Sequence, residues 1–154
     1  MGYLKDMIAK ISDTSNFIFV GTGVIVLNSH GNVLMGKRND NNTWCIPGGS
    51  LEPEDSSIEE CASRELWEEV GIRCKPENMI LNAAKFIQDP IIKDWKSIRI
   101  VSVSYIASEY DDTDMNINSR EFTQYGWFSK EEVMKLKELI TPYTYEGLKE
   151  YFKI

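Results

Sequence analysis

The sequence holds only three cysteines, Cys45, Cys61 and Cys74, and no two of them form a CxxC pair. An odd, scattered set excludes a disulfide framework. Histidine is scarcer still, with His30 alone. It sits in the turn-forming run Asn28-Ser29-His30-Gly31-Asn32 and reads as a solvated turn residue rather than a catalytic one. No apolar run approaches the ~20 residues of a membrane helix. The first residues lack the basic flank and apolar core of a secretory signal and the position-6 Ser/Thr of a myristoylation signal. A cytoplasmic protein without a membrane partner is therefore expected. Basic residues are in deficit, 17 Lys+Arg against 24 Asp+Glu, a net charge of −7. Such a chain is a poor general binder of nucleic acid or anionic membrane. A polyanionic small molecule remains a fitting ligand if a bound cation reverses the local sign.

The 154 residues are 42% hydrophobic and 27% charged. That composition predicts one domain over residues 1–154, with its own core and no repeat or linker. Residues 4–10 have the pattern of a short amphipathic helix. Phe17–Leu27 and Val33–Arg38 are rich in strand formers, and the turn run between them predicts a hairpin. Trp44–Ile46 is a short apolar segment that stops at Pro47-Gly48-Gly49. A helix is expected over Ser57–Val70, closed by Gly71. Its start carries two overlapping capping registers, Ser56 with Glu59 and Ser57 with Glu60. Further strands are expected at Met79–Phe86, Ser97–Ala107 and Thr123–Phe128, and closing helices at Lys130–Leu139 and Thr144–Phe152. Cys61 falls on an apolar helical stripe and reads as a buried thiol. Leu148, Tyr151 and Phe152 read as core. Asp111-Asp112-Thr113-Asp114 reads as a solvated loop rather than a cation site. Interspersed helices and strands give an α/β class, with a mixed sheet sandwiched between helices.

The 57–70 helix is acidic where it should not be. Residues three and four apart share a helical face. Ile58, Cys61 and Ala62 start an apolar stripe, and its continuation meets Glu65 and then Glu69, with Glu68 beside them. These acids extend the apolar side and gather near the helix C-terminus, where the macrodipole disfavours negative charge. Carboxylates packed so closely raise one another's pKa or recruit a cation, and all-oxygen ligands favour Mg²⁺ or Mn²⁺ over zinc. Gly48-Gly49 ahead of the helix lets backbone approach an ion or phosphate.

Gly48-Gly49 through Ile72 resembles the Nudix box, G-x5-E-x7-R-E-U-x-E-E-x-G-U with U aliphatic. Arg64, Glu65, Leu66, Glu68, Glu69, Gly71 and Ile72 match every fixed position of its second half. Trp44-Cys45-Ile46-Pro47 before the glycines, and Glu121 six residues ahead of Trp127, extend the likeness over about Phe17 to Phe128. The first half departs by one extra residue between Gly49 and Arg64. Counting forward places Asp55 at the first box glutamate, and counting back places Ser56 there. Glu54 or Asp55 is the substitute.

The resemblance implies an α/β/α Nudix fold with MutT-like hydrolase chemistry: a metal ion and water attack on a diphosphate. It implies Glu65, Glu68 and Glu69 as metal ligands or base, the Gly48 carbonyl as a further ligand, and Arg64 as the residue orienting the glutamates. Glu121 matches a position that binds a further metal or serves as base, so Glu65 and Glu121 are alternative bases. Arg38, at a strand end, is either a phosphate contact or a surface residue. The implied partner is a nucleotide, either a nucleoside triphosphate or a nucleotide sugar such as ADP-ribose, in a monomer or homodimer. RNA decapping fits the acidic charge poorly. The stretch Thr141-Pro142-Tyr143-Thr144-Tyr145 has no asparagine to read an oxidised guanine. Residues 1–16 are short for a dimer-forming extension. A nucleotide-binding sensor without hydrolysis is the alternative in another class.

Overall fold

The structure, a computed structural model, describes residues 2–11, 17–88 and 98–154. Ser97, the expected first residue of one strand, lies outside them, as do residues 1 and 12–16 of the short N-terminal extension. The chain runs α1 (Gly2–Lys10), β1 (Ile18–Ile25), β2 (Val33–Arg38), β3 (Trp44–Cys45), β4 (Gly48–Ser50) and α2 (Ile58–Val70). It continues with β5 (Met79–Ile87), β6 (Arg99–Ala107), β7 (Phe122–Phe128), α3 (Lys130–Lys135) and α4 (Pro142–Phe152).

The expected hairpin forms only at its turn. The Asn28 side chain accepts from the His30 and Asn32 N–H groups, and a single antiparallel bridge joins Leu27 to Val33. Beyond it the two strands part into separate sheets, because each finds longer partners elsewhere. β1 pairs parallel with β6 and antiparallel with β4, and β2 pairs antiparallel with β3 and β7. The result is a mixed four-stranded sheet, β4-β1-β6-β5, and a three-stranded sheet, β3-β2-β7, in place of one sheet.

The α/β/α sandwich follows from strand alternation. Val24, Val26, Val103 and Tyr105 share one core with Ala62, Leu66 and Val70 of α2. Ile25 and Ile106, on the opposite face, pack with Val133 and Leu148 of α3 and α4. At an irregularity in β5, Asn82 donates to both Ser104 Oγ and the Gly147 carbonyl at 2.9 Å. That amide ties α4 to the sheet where Gly147 allows close approach. A third cluster sets Leu4 of α1 on Ile98 and Ile100, with Phe19 and Tyr143 against it. Cys61 is fully buried, and His30 is exposed in its turn. Leu148 is fully buried, with Tyr151 and Phe152 packed against its cluster. The α3 helix stops at Lys135 and gives way to a 3₁₀ turn at Lys137–Leu139.

The two capping registers of α2 merge into one. Ser57 Oγ accepts from Glu60 N at 3.0 Å, while the Glu60 carboxylate turns back to the backbone N and hydroxyl of Ser56. At the other end Gly71 takes a left-handed φ of 68°, and a Cβ there would strike the Asp114 carbonyl at 2.5 Å. The loop that presses on it donates Asn116 N to Val70 O and Asn118 N to Glu69 O. These bonds satisfy carbonyls that a helix end leaves open. The 111–114 run is part of this brace: Asp111 pairs through its backbone with Arg73, and the Asp114 carboxylate pairs with the Arg73 guanidinium.

Candidate functional site

The acidic face of α2 lies as its spacing requires, with one exception. Glu65 is 3% exposed and Glu69 is 7% exposed, in line with Cys61 and Ala62. Glu68 is turned out, its side chain 54% exposed. It stands 100° around the helix from Glu69, at the edge of the buried stripe. Arg64 joins the rim to the interior. Its Nη1 donates to Glu65 at 2.9 Å and to Glu68 at 3.4 Å.

The other side of the same guanidinium settles which acid stands ahead of the helix. Asp55 receives Arg64 Nε and Nη2 at 2.9 Å each, a bidentate pair, and also accepts the Glu52 N–H. Its side chain is 4% exposed, whereas Glu54 faces solvent. The extra residue is absorbed in the 52–56 loop, and Asp55 reaches the arginine that the box requires. The hydrogen bonds from Arg64 hold the Asp55 carboxyl below its ordinary range. The same pair raises Arg64 above its own, so it stays a cation.

Gly48 and Gly49 are fixed by what surrounds them. They pair with Gly23 and Thr22 across β1–β4. A Cβ on Gly48 would lie 2.0 Å from the Thr22 carbonyl oxygen. A Cβ on Gly49 would lie 2.3 Å from Glu65 Cδ, inside the space of the carboxylate. Gly48 N donates to Glu69 Oε2 at 3.3 Å. Thr22, which sequence patterning alone does not single out, donates its hydroxyl to Gly49 O at 3.3 Å and sits 3.6 Å from Cys61 Sγ.

Burial raises the Glu65 carboxyl above its ordinary range, with Arg64 acting against the shift. Burial raises Glu69 well above its range; the nearby charges of Glu65 and Glu121 add to this, and the Gly48 N–H opposes it. Glu121 is thus brought from the start of β7 to the Glu69 side of the site. Two buried carboxylates with a third near them, and one arginine on Glu65, are donors of the kind a hard cation takes. Among the described residues, no three acidic, histidine or cysteine side chains stand close enough to complete an ion cage. The donors fit Mg²⁺ or Mn²⁺ in kind: oxygen ligands, buried, with less positive charge than negative.

Beside these acids opens a pocket. Glu69, Glu121, Gly48 and Gly49 stand on its wall with Arg38 and Tyr143. Arg38 is not a surface residue; it is buried. Its Nε and Nη2 donate to Asp40 at 2.9 and 2.7 Å, and Nη1 donates to the Tyr143 hydroxyl at 3.3 Å. An arginine so paired offers directed N–H groups rather than an unbalanced charge. Burial pushes the Tyr143 phenol up, so it remains protonated.

Comparison with known proteins agrees with this geometry. The NUDIX domain family matches residues 18–149. An RNA pyrophosphohydrolase of Roseobacter denitrificans is 29% identical over 126 residues, 73% of this chain and 78% of its own. Phosphatase NudJ of Shigella boydii is 28% identical over 110 residues, 70% of this chain and 65% of its own. Among solved structures, a MutT NUDIX hydrolase of Burkholderia pseudomallei superposes with a TM-score of 0.71 over 88% of this chain and 98% of its own, at 22% identity. Fold and family therefore define a hydrolase with an acidic helix beside a pocket. The chain belongs to the Nudix family, and it is an enzyme of the pyrophosphohydrolase kind.

Proposed function

We propose that residues 1–154 act as one Nudix domain that hydrolyses, with Mg²⁺ or Mn²⁺, the diphosphate bond of a nucleoside diphosphate linked to another group. The observation that carries this reading is the buried pair Glu65 and Glu69. A protein does not stably hold two adjacent carboxylates out of water with one arginine unless they remain protonated or a cation joins them. Glu65, Glu68, Glu69, Glu121 and the Gly48 carbonyl would hold the ion, and it would neutralise the oxygens of the diphosphate. The chain's own residues do the rest. Arg64, fixed by Asp55, orients Glu65 and Glu68. Gly49 leaves room for the Glu65 carboxylate. Glu65 or Glu121 takes the proton of the attacking water.

The substrate is a small nucleotide, a nucleoside triphosphate or nucleotide sugar, because a chain of net charge −7 attracts a long anionic strand poorly. Solved Nudix relatives include a Francisella tularensis bifunctional NMN adenylyltransferase/ADP ribose pyrophosphatase, similar at a TM-score of 0.64 and 18% identity over 98% of this chain and 45% of its own. The RNA pyrophosphohydrolase relatives point instead to a triphosphate at a nucleic-acid end. One experiment decides. The protein is incubated with Mg²⁺ and nucleoside triphosphates, nucleotide sugars, ADP-ribose, dinucleoside polyphosphates and a 5′-triphosphorylated oligonucleotide, and products are read by mass spectrometry beside Glu69→Gln. Metal-dependent monophosphate from a small nucleotide, lost in the variant, supports the reading. Turnover of the oligonucleotide alone overturns the substrate class, and turnover by Glu69→Gln at the wild-type rate overturns the site.

A further inference from the structure

The four-stranded sheet has two unlike edges. β4 at one end is three residues long, and β5 at the other is nine. Among the described residues β5 pairs with β6 alone, and no second strand lies beside it. Such an edge is a template for another strand, and proteins that stay single blunt it with charge, proline, a bulge or a cover. β5 holds no proline, and no acid in a chain with 24 Asp+Glu. Its one charge, Lys85, reaches to Glu150 of α4 at 3.5 Å. Its one irregularity lies between Leu81 and Ala83, where Asn82 is bonded to Ser104 and Gly147. That irregularity does not end the strand, since pairing with β6 resumes at Ala83 and runs to Ile87.

What this edge exposes is apolar. Leu81, Ala84 and Phe86 lie opposite Tyr105, Val103 and Val101 of β6, on the face that packs with α2. The helix leaves them open: Leu81 is 62% and Phe86 51% exposed, and Ala84 is exposed between them. On the other face Ile80 is exposed as well.

The order of these residues fits a second copy of the same strand. Two β5 strands set antiparallel about a two-fold axis at Ala84 place Ala84 against itself and Lys85 against Ala83 of the second copy. Counting past Asn82, which the irregularity puts out of line, Phe86 then faces Leu81 of the second copy, and Ile87 faces Ile80. Both members of each such pair lie on the same face of the sheet, as an antiparallel pair requires. Apolar side chains meet apolar ones, the smallest falls on the axis, and the two Lys85 side chains do not oppose each other. α4 flanks this edge and carries both signs there, Glu146 and Glu150 with Lys149 and Lys153, so two copies meet without a single-sign repulsion.

We propose that β5 is a dimerisation edge: two copies of this chain join β5 to β5 antiparallel, with Ala84 on the two-fold axis, and merge their four-stranded sheets into one. The pocket beside the acids contains no β5 residue. Each copy therefore keeps its own site, and the dimer does not depend on the hydrolytic reading.

The test is sedimentation velocity of the full chain from about 1 to about 100 µM, the range expected for an interface built on one strand pair. The wild type should pass from monomer to dimer. Leu81→Lys and Phe86→Glu, both at exposed positions, should each weaken association at least ~10-fold while circular dichroism shows the same fold. Ala84→Cys reads the register. Its two copies would face each other with Cβ atoms about 4.5–5.5 Å apart, so mild oxidation should yield an intermolecular disulfide. The three native cysteines are buried, and Lys135→Cys, exposed on α3, gives the background of random cross-linking. A wild type that stays monomeric to the top of the range overturns the proposal. So does a dimer that keeps its strength in both charge variants, or cross-linking of Ala84→Cys no greater than that of Lys135→Cys.

Discussion

Gly49→Ala separates the catalytic arrangement from the fold. The new methyl carbon would lie 2.3 Å from Glu65 Cδ and 2.4 and 2.6 Å from the two carboxylate oxygens. Carbon atoms pack at about 3.5 Å or more, so the carboxylate must retreat by roughly 1 Å. It can do so, being the end of a flexible side chain, but it must leave its 2.9 Å bond to Arg64. A displacement of that size costs on the order of 10²-fold in rate when the group must be in register with a reacting centre. Stability should hardly move. The backbone at Gly49 is not left-handed, and replacing glycine by alanine gains roughly 0.4–1 kcal/mol by restricting the unfolded chain. The lost charge-assisted bond offsets this. The neighbour is the control. On Gly48 the methyl would meet a main-chain oxygen of β1 at 2.0 Å, and nothing flexible can yield. Gly48→Ala must spread β1 from β4, at a cost on the order of 3 kcal/mol. The assay is kcat on the best substrate beside a thermal melt for each variant. Full activity in Gly49→Ala, or a melt as low as that of Gly48→Ala, would refute the reasoning.

Buried Glu69 binds its proton more tightly in the folded protein than in the unfolded chain, so in metal-free buffer its contribution to stability is greatest at acid pH. It falls as pH rises from the ordinary carboxylate range, about 4.3, through the raised value. Glu69→Gln should flatten that slope and be the more stable protein at pH 8 without metal, as chemical denaturation would show; a steeper slope would contradict it. Asp55 works in the opposite sense. Its lowered carboxyl stabilises the fold above about pH 4 and loses that contribution on further acidification. Asp55→Asn should therefore melt lower at pH 7 and lose ~10-fold or more in turnover as Arg64 is freed, whereas Glu54→Gln should match the wild type in both measurements. Tyr143→Phe removes the acceptor of Arg38 Nη1 and should raise KM more than it lowers kcat; the reverse split would place Tyr143 in the chemistry.

The acids of α2 were legible because helical periodicity is a strong local rule. Glu65 and Glu69 continue the buried stripe of Cys61 and Ala62, and they are buried. Glu68, three residues after Glu65, stands at the exposed edge of that stripe. The loop before the helix was ambiguous for a physical reason. Counting residues cannot decide between Glu54 and Asp55 when an insertion can bulge on either side, and only the bidentate geometry of Arg64 chooses. The separation of β1 from β2 was hidden too. Turn chemistry at Asn28 is local, whereas the partners that draw the strands apart, β6 and β7, come more than 60 residues later.

The pocket was the least legible part, and its composition explains why. Leu4, Phe19, Gly21, Arg38, Ser102 and Tyr143 come from five separate elements, and of these only Arg38 is singled out by the sequence. The spacing of Gly21 and Gly23 was a readable signal, since strand interiors rarely keep two glycines on one face without cause. Only the fold shows that a Cβ at Gly23 would meet Ile46 Cδ1 at 2.7 Å, whereas at Gly21 it would make ordinary contacts at 3.6 and 3.7 Å. The chemistry of the site is thus written in one contiguous box, while the choice of substrate is distributed over residues that only the fold assembles. Changes in the box should therefore lower turnover on every substrate alike, whereas changes in the pocket wall should differ in effect from one substrate to the next.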